Sequence, residues 1–251
     1  MNIATPLTSL CKTAACSALL LSSSMLLHSN AQTAESPETW YQAGQTELQR
    51  VLSQQANTGR AKNIILFVGD GMGISTVTAA RIHDGQVHGN SGEENYLSFE
   101  QFPAVALSKT YNTNQQTPDS AGTMTAMITG IKTRAGLISV NEHSLRANCE
   151  SSLGHSIPTF LQQAEERGLS TGIVTTTRIT HATPAATFSH TPERDWEGDM
   201  NLPEEAVLNG CKDIASQLID FNYGNGLEVA MGGGRQLFIP ENGKDPQDQQ
   251  R

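Results

Sequence analysis

The stretch that decides the fold is residues 61–85, AKNIILFVGDGMGISTVTAARIHDG. Residues 64–68 form a short continuous apolar run rich in β-formers, which predicts a buried strand. The turn GDGMG follows, and the residues after it predict a helix that ends near Gly85. Asp70 therefore lies where a strand ends and a helix begins, which is the edge at which open α/β sheets bind ligands.

The rest of the chain repeats this alternation of strands and helices. Strands are predicted in AVALSKTYNT (104–113), LSTGIVTTTRI (169–179) and LEVAMGGGR (227–235). Helices are predicted in SAGTMTAMITG (120–130), SIPTFLQQAEERG (156–168, capped by Ser156) and CKDIASQLIDF (211–221). We therefore expect an α/β fold with a mainly parallel β-sheet flanked by helices on both faces.

Composition and charge exclude several classes of protein. Of the 251 residues, 37% are hydrophobic and 16% are charged, so the chain can form a core. The net charge is −9, the pI is about 5.2, and no run of Lys or Arg occurs, so nucleic acid is not an expected partner. An anionic substrate would need a local positive site, such as metal ions or a placed arginine.

Residues 1–31 are typical of a secretory signal peptide. Lys12 precedes an apolar stretch at 14–27, and small residues surround the expected cleavage site after Ala31. The alternatives are a membrane anchor, for which the stretch is short and serine-rich, and a lipoprotein anchor at Cys16. The second is disfavoured because Cys16 lies near the start of the apolar stretch, most of which follows the cysteine instead of preceding it. We expect an exported protein, periplasmic or secreted, with no transmembrane segment in the mature chain.

Beyond the signal peptide, residues 32–60 are polar and tolerant of helix, and we interpret them as an N-terminal helical arm before a domain at 61–251. Cys149 and Cys211 are the cysteines that remain. In an exported chain an isolated pair is most simply a disulfide, the alternative being two free thiols. Neither cysteine belongs to a CxxC motif with nearby histidines, so a zinc knuckle is not expected.

Residues 117–130, TPDSAGTMTAMITG, place Asp119 and Ser120 at the start of a predicted helix. Both are N-cap residue types, and capping alone accounts for them. Ser120 is also suited to be a nucleophile, because a helix N-terminus stabilises a phosphoserine and a metal ion on the serine oxygen favours loss of its proton. The segment is not a GxSxG elbow, which disfavours hydrolases of that type.

Two other segments carry candidate residues. Asp70 in GDGMG would repel a pyrophosphate and suit a cation, although a tight turn also explains the glycines. His181 and Thr183 are either plain polar loop residues or groups that orient a hydrated cation. Arg194 is either a solvated surface residue or a planar fork that binds two phosphate oxygens.

In order, the segments NIILFVGDGMGISTVTAARI, TPDSAGTMTAMITGIKT and VTTTRITHATPAATFSHTPERDW resemble the alkaline phosphatases, over about residues 62–240. The pair His181 and Thr183 resembles the animal and marine-bacterial branch of that family. The resemblance implies hydrolysis of small-molecule phosphate monoesters through a phosphoserine, with two zinc ions and a magnesium ion per complete site. It also implies a homodimer, since the family is commonly dimeric.

The resemblance further implies roles for individual residues. Ser120 would be the phosphorylated nucleophile, Asp119 would help to orient the site, and Arg194 would bind the phosphate oxygens. Cys149 and Cys211 match the position of a disulfide in animal members.

The metal ligands follow from the same resemblance. Asp70 would bridge the second zinc ion and the magnesium ion, and the oxygen of Ser120 would bind the second zinc ion. Thr183 would be a magnesium ligand, with His181 in its outer shell.

The chain departs from the family pattern in its later part. The family takes a Glu magnesium ligand and further Asp and His zinc ligands from the C-terminal half of the fold, and no histidine follows Arg194. We therefore expect an N-terminal portion of an alkaline phosphatase, incomplete at the C-terminus. The alternatives are a truncated, catalytically incomplete fragment and a related phosphodiesterase-like or sulfatase-like hydrolase. Ser120 with Arg194 favours monoesters.

Overall fold

The computed structural model describes residues 35–247, so the predicted signal peptide at 1–31 lies outside the described residues. The chain divides into two compact units, one that ends at Ala56 and one that begins at Asn57. No helix within the described range is long and apolar enough to cross a membrane.

The described residues contain α-helices, two β-strands and several short 3-10 helices. The helices are α1 (Pro37–Ser53), α2 (Ile74–Val87), α3 (Ser120–Thr129), α4 (Phe160–Glu165), α5 (Ala182–Ala185), α6 (Glu204–Leu208) and α7 (Ile214–Ile219). The strands are β1 (Gly172–Arg178) and β2 (Val229–Gly233). The 3-10 helices are Ser98–Gln101, Glu150–Ser152, Asp199–Asn201 and Arg235–Phe238.

Helix α1 is the regular element of the first unit. Ser36 caps it: the Ser36 hydroxyl accepts the N–H of Thr39, and the Ser36 N–H donates to the Thr39 hydroxyl. Pro37 takes the first helical position, where its missing N–H costs nothing. These local signals account for a helix that starts at Pro37.

The strands β1 and β2 pair in parallel, with Gly172 opposite Val229 and Val174 opposite Met231. A parallel pair needs a crossover connection, and here that connection carries α5, α6 and α7. The predicted α/β class with a parallel sheet and flanking helices is therefore confirmed. The carboxyl end of β1 at Arg178 leads directly into the loop that carries His181.

Two predicted strands are wrong. Residues 64–68 belong to no strand, and 104–113 contain only one isolated bridge, between Asn112 and Gln115. Most of their apolar side chains are exposed, with Phe67 at 90% and Leu107 at 86%, although Val68 is partly buried against the core. Apolar β-formers supply a preference for a strand, but a strand also needs a hydrogen-bonded neighbour, and the described residues place none beside these segments.

Helix α4 begins later than predicted, because Thr159 and not Ser156 is its N-cap. The Thr159 hydroxyl accepts the N–H of Gln162, and the Gln162 side-chain oxygen accepts the N–H of Thr159. Pro158 disfavours helical backbone at the residue before it, so a helix cannot extend back to Ser156. Ser156 pairs instead with Val140 in an isolated bridge.

The core of the second unit surrounds α3 and α5, which contact each other. Its buried members are Ala121, Met124, Ile128, Ile138, Ile173, Ala182, Ala185, Ala186, Phe188 and Ile214. The alanines of the two helices keep their facing surfaces small, so the helices can approach closely. This packing fixes the first residues of both helices, including Ser120 and Thr183, on a rigid support.

A disulfide joins Cys149 and Cys211, which are 62 positions apart with their Cα atoms separated by 6.0 Å. Cys149 is buried beside Trp196 and Ala206 in a second, smaller core cluster. The bridge closes a long loop, which restricts the unfolded chain more than the folded one.

Removal of this bridge is expected to lower the free energy of unfolding by about 2–5 kcal/mol. The test compares the Cys149→Ala, Cys211→Ala double variant with the oxidised and the reduced wild type by urea denaturation. The double variant and the reduced wild type should share a low midpoint. Equal midpoints for oxidised and reduced wild type would contradict a stabilising role.

His190 is a partly buried histidine whose tautomer is fixed by its neighbours. The side-chain oxygen of Gln162 accepts the N–H of Thr159, so the Gln162 amide N–H faces His190 Nε2. His190 Nδ1 in turn donates to the carbonyl of Ser139 at 2.8 Å. Burial lowers the pKa of His190, and the hydrogen bond to Ser139 only partly opposes this. The neutral ring is therefore the form that fits the fold.

Stability is expected to fall as the pH drops below about 6.5, the ordinary pKa of histidine. The pKa of His190 is lower in the folded state, so the unfolded chain takes up the proton first and the stabilisation present above pH 6.5 is lost in acid. Urea denaturation between pH 5 and 7.5 should show a flatter acid slope for His190→Asn. His143→Asn, at an exposed position, is the matched control. An unchanged slope in the His190 variant would refute this assignment.

Candidate active site

Helix α3 begins at Ser120 because Asp119 caps it. Asp119 Oδ1 accepts the N–H of Gly122 at 3.0 Å, and Gly130 ends the helix in the left-handed region at φ 78°. The cap is therefore Asp119, and Ser120 is the first helical residue. Its hydroxyl is not used in capping, which leaves it available for contact with another segment.

That contact is with Asp70, in the loop before α2. Ser120 Oγ donates to Asp70 Oδ1 at 2.9 Å, across 50 positions of sequence. Thr183 Oγ1 donates to Asp70 Oδ2, also at 2.9 Å and across 113 positions. The Asp70 carboxylate thus accepts one hydroxyl on each oxygen and links three distant segments.

Arg194 connects a second pair of predicted residues. Its Nη1 donates to Asp119 Oδ2 at 3.2 Å, and its Nη2 donates to His181 Nε2 at 3.2 Å. His181 Nδ1 lies 4.0 Å from Asp70 Oδ2. The structure therefore brings together every residue predicted for the site, namely Asp70, Asp119, Ser120, His181, Thr183 and Arg194.

The Arg194 side chain is mostly buried, with 19% of it exposed. A guanidinium has five N–H donors in a rigid fork. Within the described residues, two of these donors engage Asp119 and His181. The orientation of the fork is thus fixed from two sides, while further donors remain for an anion.

Hydrogen bonds to Glu197 fix the start of the loop that carries His181. Arg178 donates twice to Glu197, at 2.8 and 2.6 Å, and the Thr180 hydroxyl donates to Glu197 at 2.6 Å. Burial raises the pKa of Glu197, but the hydrogen bonds from Arg178 and Thr180 outweigh it and lower the pKa overall. The ionised carboxylate therefore secures both Arg178 and Thr180, immediately before His181.

Two residues that the sequence analysis missed also contact Asp119. Asn112 Nδ2 donates to Asp119 Oδ1 at 3.1 Å, and the N–H of Gly136 donates to Asp119 Oδ2 at 2.8 Å. Neither belongs to a motif with recognisable chemistry. Gly136 has a φ of 83°, a conformation that glycine tolerates. A glycine in a loop is therefore the signal by which the sequence could have indicated a tight turn at this position.

The residues around Asp70 fit a magnesium ion. The donors that meet there are the carboxylate oxygens of Asp70 and the hydroxyls of Ser120 and Thr183, and oxygen is the ligand type that Mg²⁺ prefers. His181 Nδ1 is buried and has no hydrogen-bond partner among residues 35–247. That orphaned nitrogen, close to Asp70, fits an outer-shell contact through a bound water.

A complete zinc site is not built by the described residues. Zinc takes three or four His, Cys, Asp or Glu ligands. Across residues 35–247 no group of three or more such side chains is arranged to hold a metal ion. The family resemblance implies Asp70 and Ser120 as zinc ligands, and these two side chains are hydrogen-bonded to each other.

Comparison with known families shows which family the sequence matches. The profile of the family described as alkaline phosphatase matches residues 61–251. The chain belongs to the alkaline phosphatase family. The matched range contains all the residues of the candidate site, so the resemblance expected from the three motifs is confirmed.

Similar alkaline phosphatases occur in vertebrates. The tissue-nonspecific isozymes of Rattus norvegicus and Homo sapiens are 50% and 49% identical to this chain over 210 residues, covering 83% of it and 40% of each relative. The alkaline phosphatase of Gadus morhua is 48% identical over 210 residues, covering 83% of the chain and 44% of that protein. The chain thus spans about two fifths of the length of these curated relatives.

Solved bacterial alkaline phosphatases share the fold. The enzyme from Thermus thermophilus matches with a TM-score of 0.53 and 27% identity, over 78% of this chain and 36% of that one. The enzyme from the Antarctic bacterium TAB5 matches with a TM-score of 0.50 and 25% identity, over 70% and 41%. The fold assigned from the strands and helices is thus that of the family.

Proposed function

We propose that this chain carries the nucleophile and the phosphate-binding arginine of an alkaline phosphatase, an enzyme that hydrolyses phosphate monoesters through a phosphoserine. One observation carries the proposal: Ser120, hydrogen-bonded to Asp70, follows directly on Asp119, which holds Arg194. The nucleophile and the residue that holds the anion-binding arginine are thereby adjacent at the start of one helix.

In the first step the Oγ of Ser120 attacks phosphorus. The Oγ–P bond forms and the bond from phosphorus to the ester oxygen breaks. The proton lost from the Ser120 hydroxyl is balanced by protonation of the departing oxygen, so the product leaves as an alcohol. The Ser120 hydroxyl points its proton at Asp70 Oδ1, so this hydrogen bond orients the oxygen lone pairs away from Asp70. The phosphoserine lies at the positive end of α3, whose dipole and first-turn N–H groups stabilise an anion.

Arg194 holds the transferring group. Its position between Asp119 and His181 leaves a planar pair of donors that matches two non-bridging phosphate oxygens. A preorganised cation of this kind stabilises the charge that develops in the transition state. In the second step water breaks the Oγ–P bond, which releases phosphate and restores the serine.

Metal ions form part of the proposal. Magnesium would be held by Asp70 and Thr183, with His181 outside its first shell, and when bound it supplies positive charge beside the transferring group. Zinc is proposed from membership of the family alone. The described residues do not build a complete zinc site.

The proposed substrates are small-molecule phosphate monoesters. A monoester offers three non-bridging oxygens, so two can bind Arg194 while the third faces the cation near Asp70. A diester has one oxygen fewer and a second bulky group, and a sulfate ester carries less negative charge. The fork of Arg194 combined with a cation near Asp70 therefore favours monoesters over both alternatives.

The setting of the protein is proposed from its sequence and its family. Residues 1–31 are an export signal, 32–60 an N-terminal helical arm, and 61–251 the N-terminal part of an alkaline phosphatase domain, in a periplasmic or secreted protein that forms a homodimer. The pairing of Cys149 with Cys211 supports an oxidising compartment. The acidic net charge of −9 supports substrates other than nucleic acid.

The test is an assay of the purified chain without its first 31 residues, at alkaline pH with zinc and magnesium. Three p-nitrophenyl esters are compared: the phosphate monoester, the bis-ester of phosphate and the sulfate ester. We expect turnover of the monoester alone, or of the monoester far above the others. Preference for the diester or the sulfate would overturn the assignment. Binding of inorganic phosphate without turnover would indicate the catalytically incomplete fragment.

A further inference from the structure

We propose that Asn112 is a positioning residue that holds Asp119, and through Asp119 the guanidinium of Arg194, in the geometry that binds phosphate. This inference rests on the proposed function of Arg194. It concerns a side chain that belongs to none of the three motifs and contacts neither the nucleophile nor its carboxylate partner.

The contact between Asn112 and Asp119 is reciprocal. Asn112 Nδ2 donates to Asp119 Oδ1 at 3.1 Å, and Asn112 Oδ1 accepts the N–H of Asp119 at 3.0 Å. Asn112 is buried, at 3% exposed. One amide side chain therefore fixes both the backbone and the carboxylate of Asp119, and water cannot easily replace it.

These bonds set the direction of the Asp119 carboxylate. Its Oδ1 accepts from Asn112 and from the N–H of Gly122, and its Oδ2 accepts from the N–H of Gly136 and from Arg194. Helix capping needs only the Gly122 contact. The two donors on Oδ1 define the plane of the carboxylate, so Oδ2 stays directed at Arg194.

The Asn112 side-chain amide lies against helix α3 at Gly122, where only glycine leaves room for it. A Cβ on Gly122 would lie 1.9 Å from Asn112 Nδ2, so no other residue fits at this third helical position while Asn112 stays where it is. Glycine inside a helix costs about 1 kcal/mol relative to alanine. Helix α3 therefore has a helix-destabilising glycine at the position that lies against the Asn112 side-chain amide.

Asn112 itself has an independent support. Its N–H donates to the carbonyl of Gln115 at 3.0 Å, and the N–H of the next residue, Thr113, donates to the carbonyl of Thr133 at 3.0 Å. The backbone beside the amide is thereby fixed without Asp119. The amide can act as a fixed reference for Asp119, instead of moving with it.

The sharpest test replaces one atom of the amide. Asn112→Asp keeps the oxygen that accepts the Asp119 N–H, but it replaces the donor with an oxygen facing the Asp119 carboxylate. Asn114→Asp is the matched control, because Asn114 uses only its oxygen, which accepts the N–H of Ala135 at 2.9 Å. Both variants add one negative charge within one loop, and they differ in the lost donor and in burial, since Asn112 is buried and Asn114 is exposed.

Three readouts follow from the contacts. The affinity for inorganic phosphate, measured by calorimetry, should fall about tenfold or more in Asn112→Asp and stay within about twofold in Asn114→Asp, as expected for a supporting partner. The amide protons of Gly122 and Gly136 should shift in NMR spectra of Asn112→Asp alone. The kcat for the p-nitrophenyl monoester should fall together with phosphate affinity.

A double-mutant cycle separates positioning from general destabilisation. If Asn112 acts through Asp119, Asn112→Asp has no further effect on phosphate affinity in an Asp119→Ala background. Additive effects in that background, or equal losses in Asn112→Asp and Asn114→Asp, would overturn the inference. A wild type that neither binds phosphate nor hydrolyses the monoester would instead overturn the proposed function on which it rests.

Discussion

Ser120→Ala is expected to lower the kcat for p-nitrophenyl phosphate by roughly 10⁴-fold or more, since loss of a covalent nucleophile is among the largest single effects in enzymes. The fold should tolerate the change, because the Ser120 hydroxyl contacts Asp70 and does not cap α3. Phosphate should still bind to the variant, since Arg194 and its partner Asp119 are untouched.

Ser75→Ala is the matched control, because Ser75 is exposed near the start of α2. Its kcat should equal that of the wild type. Initial rates are measured at alkaline pH with zinc and magnesium, and the melting temperature of each variant shows that it is folded. A Ser120→Ala variant that retains a tenth of the activity would exclude Ser120 as the nucleophile.

Arg194→Ala should lower kcat/KM by roughly 10²–10³-fold, the usual effect of removing one preorganised group that stabilises transition-state charge. The inhibition constant for inorganic phosphate should rise in the same variant, because ground-state phosphate uses the same fork. Arg194→Lys should recover only part of the loss, since an ammonium ion cannot donate two parallel hydrogen bonds.

Arg167→Ala is the control for this series. Arg167 is an exposed arginine that donates to the carbonyl of Gln163 within the second unit. Its removal should change neither kcat/KM nor phosphate inhibition. An Arg194→Lys variant as active as the wild type would show that charge alone is needed there, and that the planar fork is not.

Helix α3 shows what the sequence alone predicts well. Asp119 as a cap and Gly130 as a terminator are local signals, and both ends of the helix follow from them. The sequence left open whether Asp119 or Ser120 was the cap. The structure answers it through one hydrogen bond, from Gly122 to Asp119, which frees the serine hydroxyl.

The wrong strands show what local sequence cannot predict. Residues 64–68 and 104–113 have strand-forming composition, but pairing depends on segments far away in the chain. The late start of α4 has a different cause: Ser156 and Thr159 are both acceptable caps, and Pro158 between them decides in favour of Thr159.

The sequence predicts the residues of the candidate site that could react or bind phosphate. It does not predict the residues that hold them in place. Asp70, Ser120 and Arg194 are found from motifs because their residue types match a reaction. Asn112 and Gly136 hold Asp119 through ordinary amide and backbone groups, which carry no chemical signature in the sequence. Such supporting residues become visible only when the segments have been brought together in space.

The disulfide between Cys149 and Cys211 has a topological consequence for proteolysis. His181, Thr183 and Arg194 all lie inside the covalent ring that it closes, whereas Asp70 and Ser120 lie outside. A single proteolytic nick within the ring leaves two polypeptides that are still tethered. A nick between Cys149 and Arg194 would therefore leave the arginine linked to the serine, and reduction of the disulfide would also be needed to separate them.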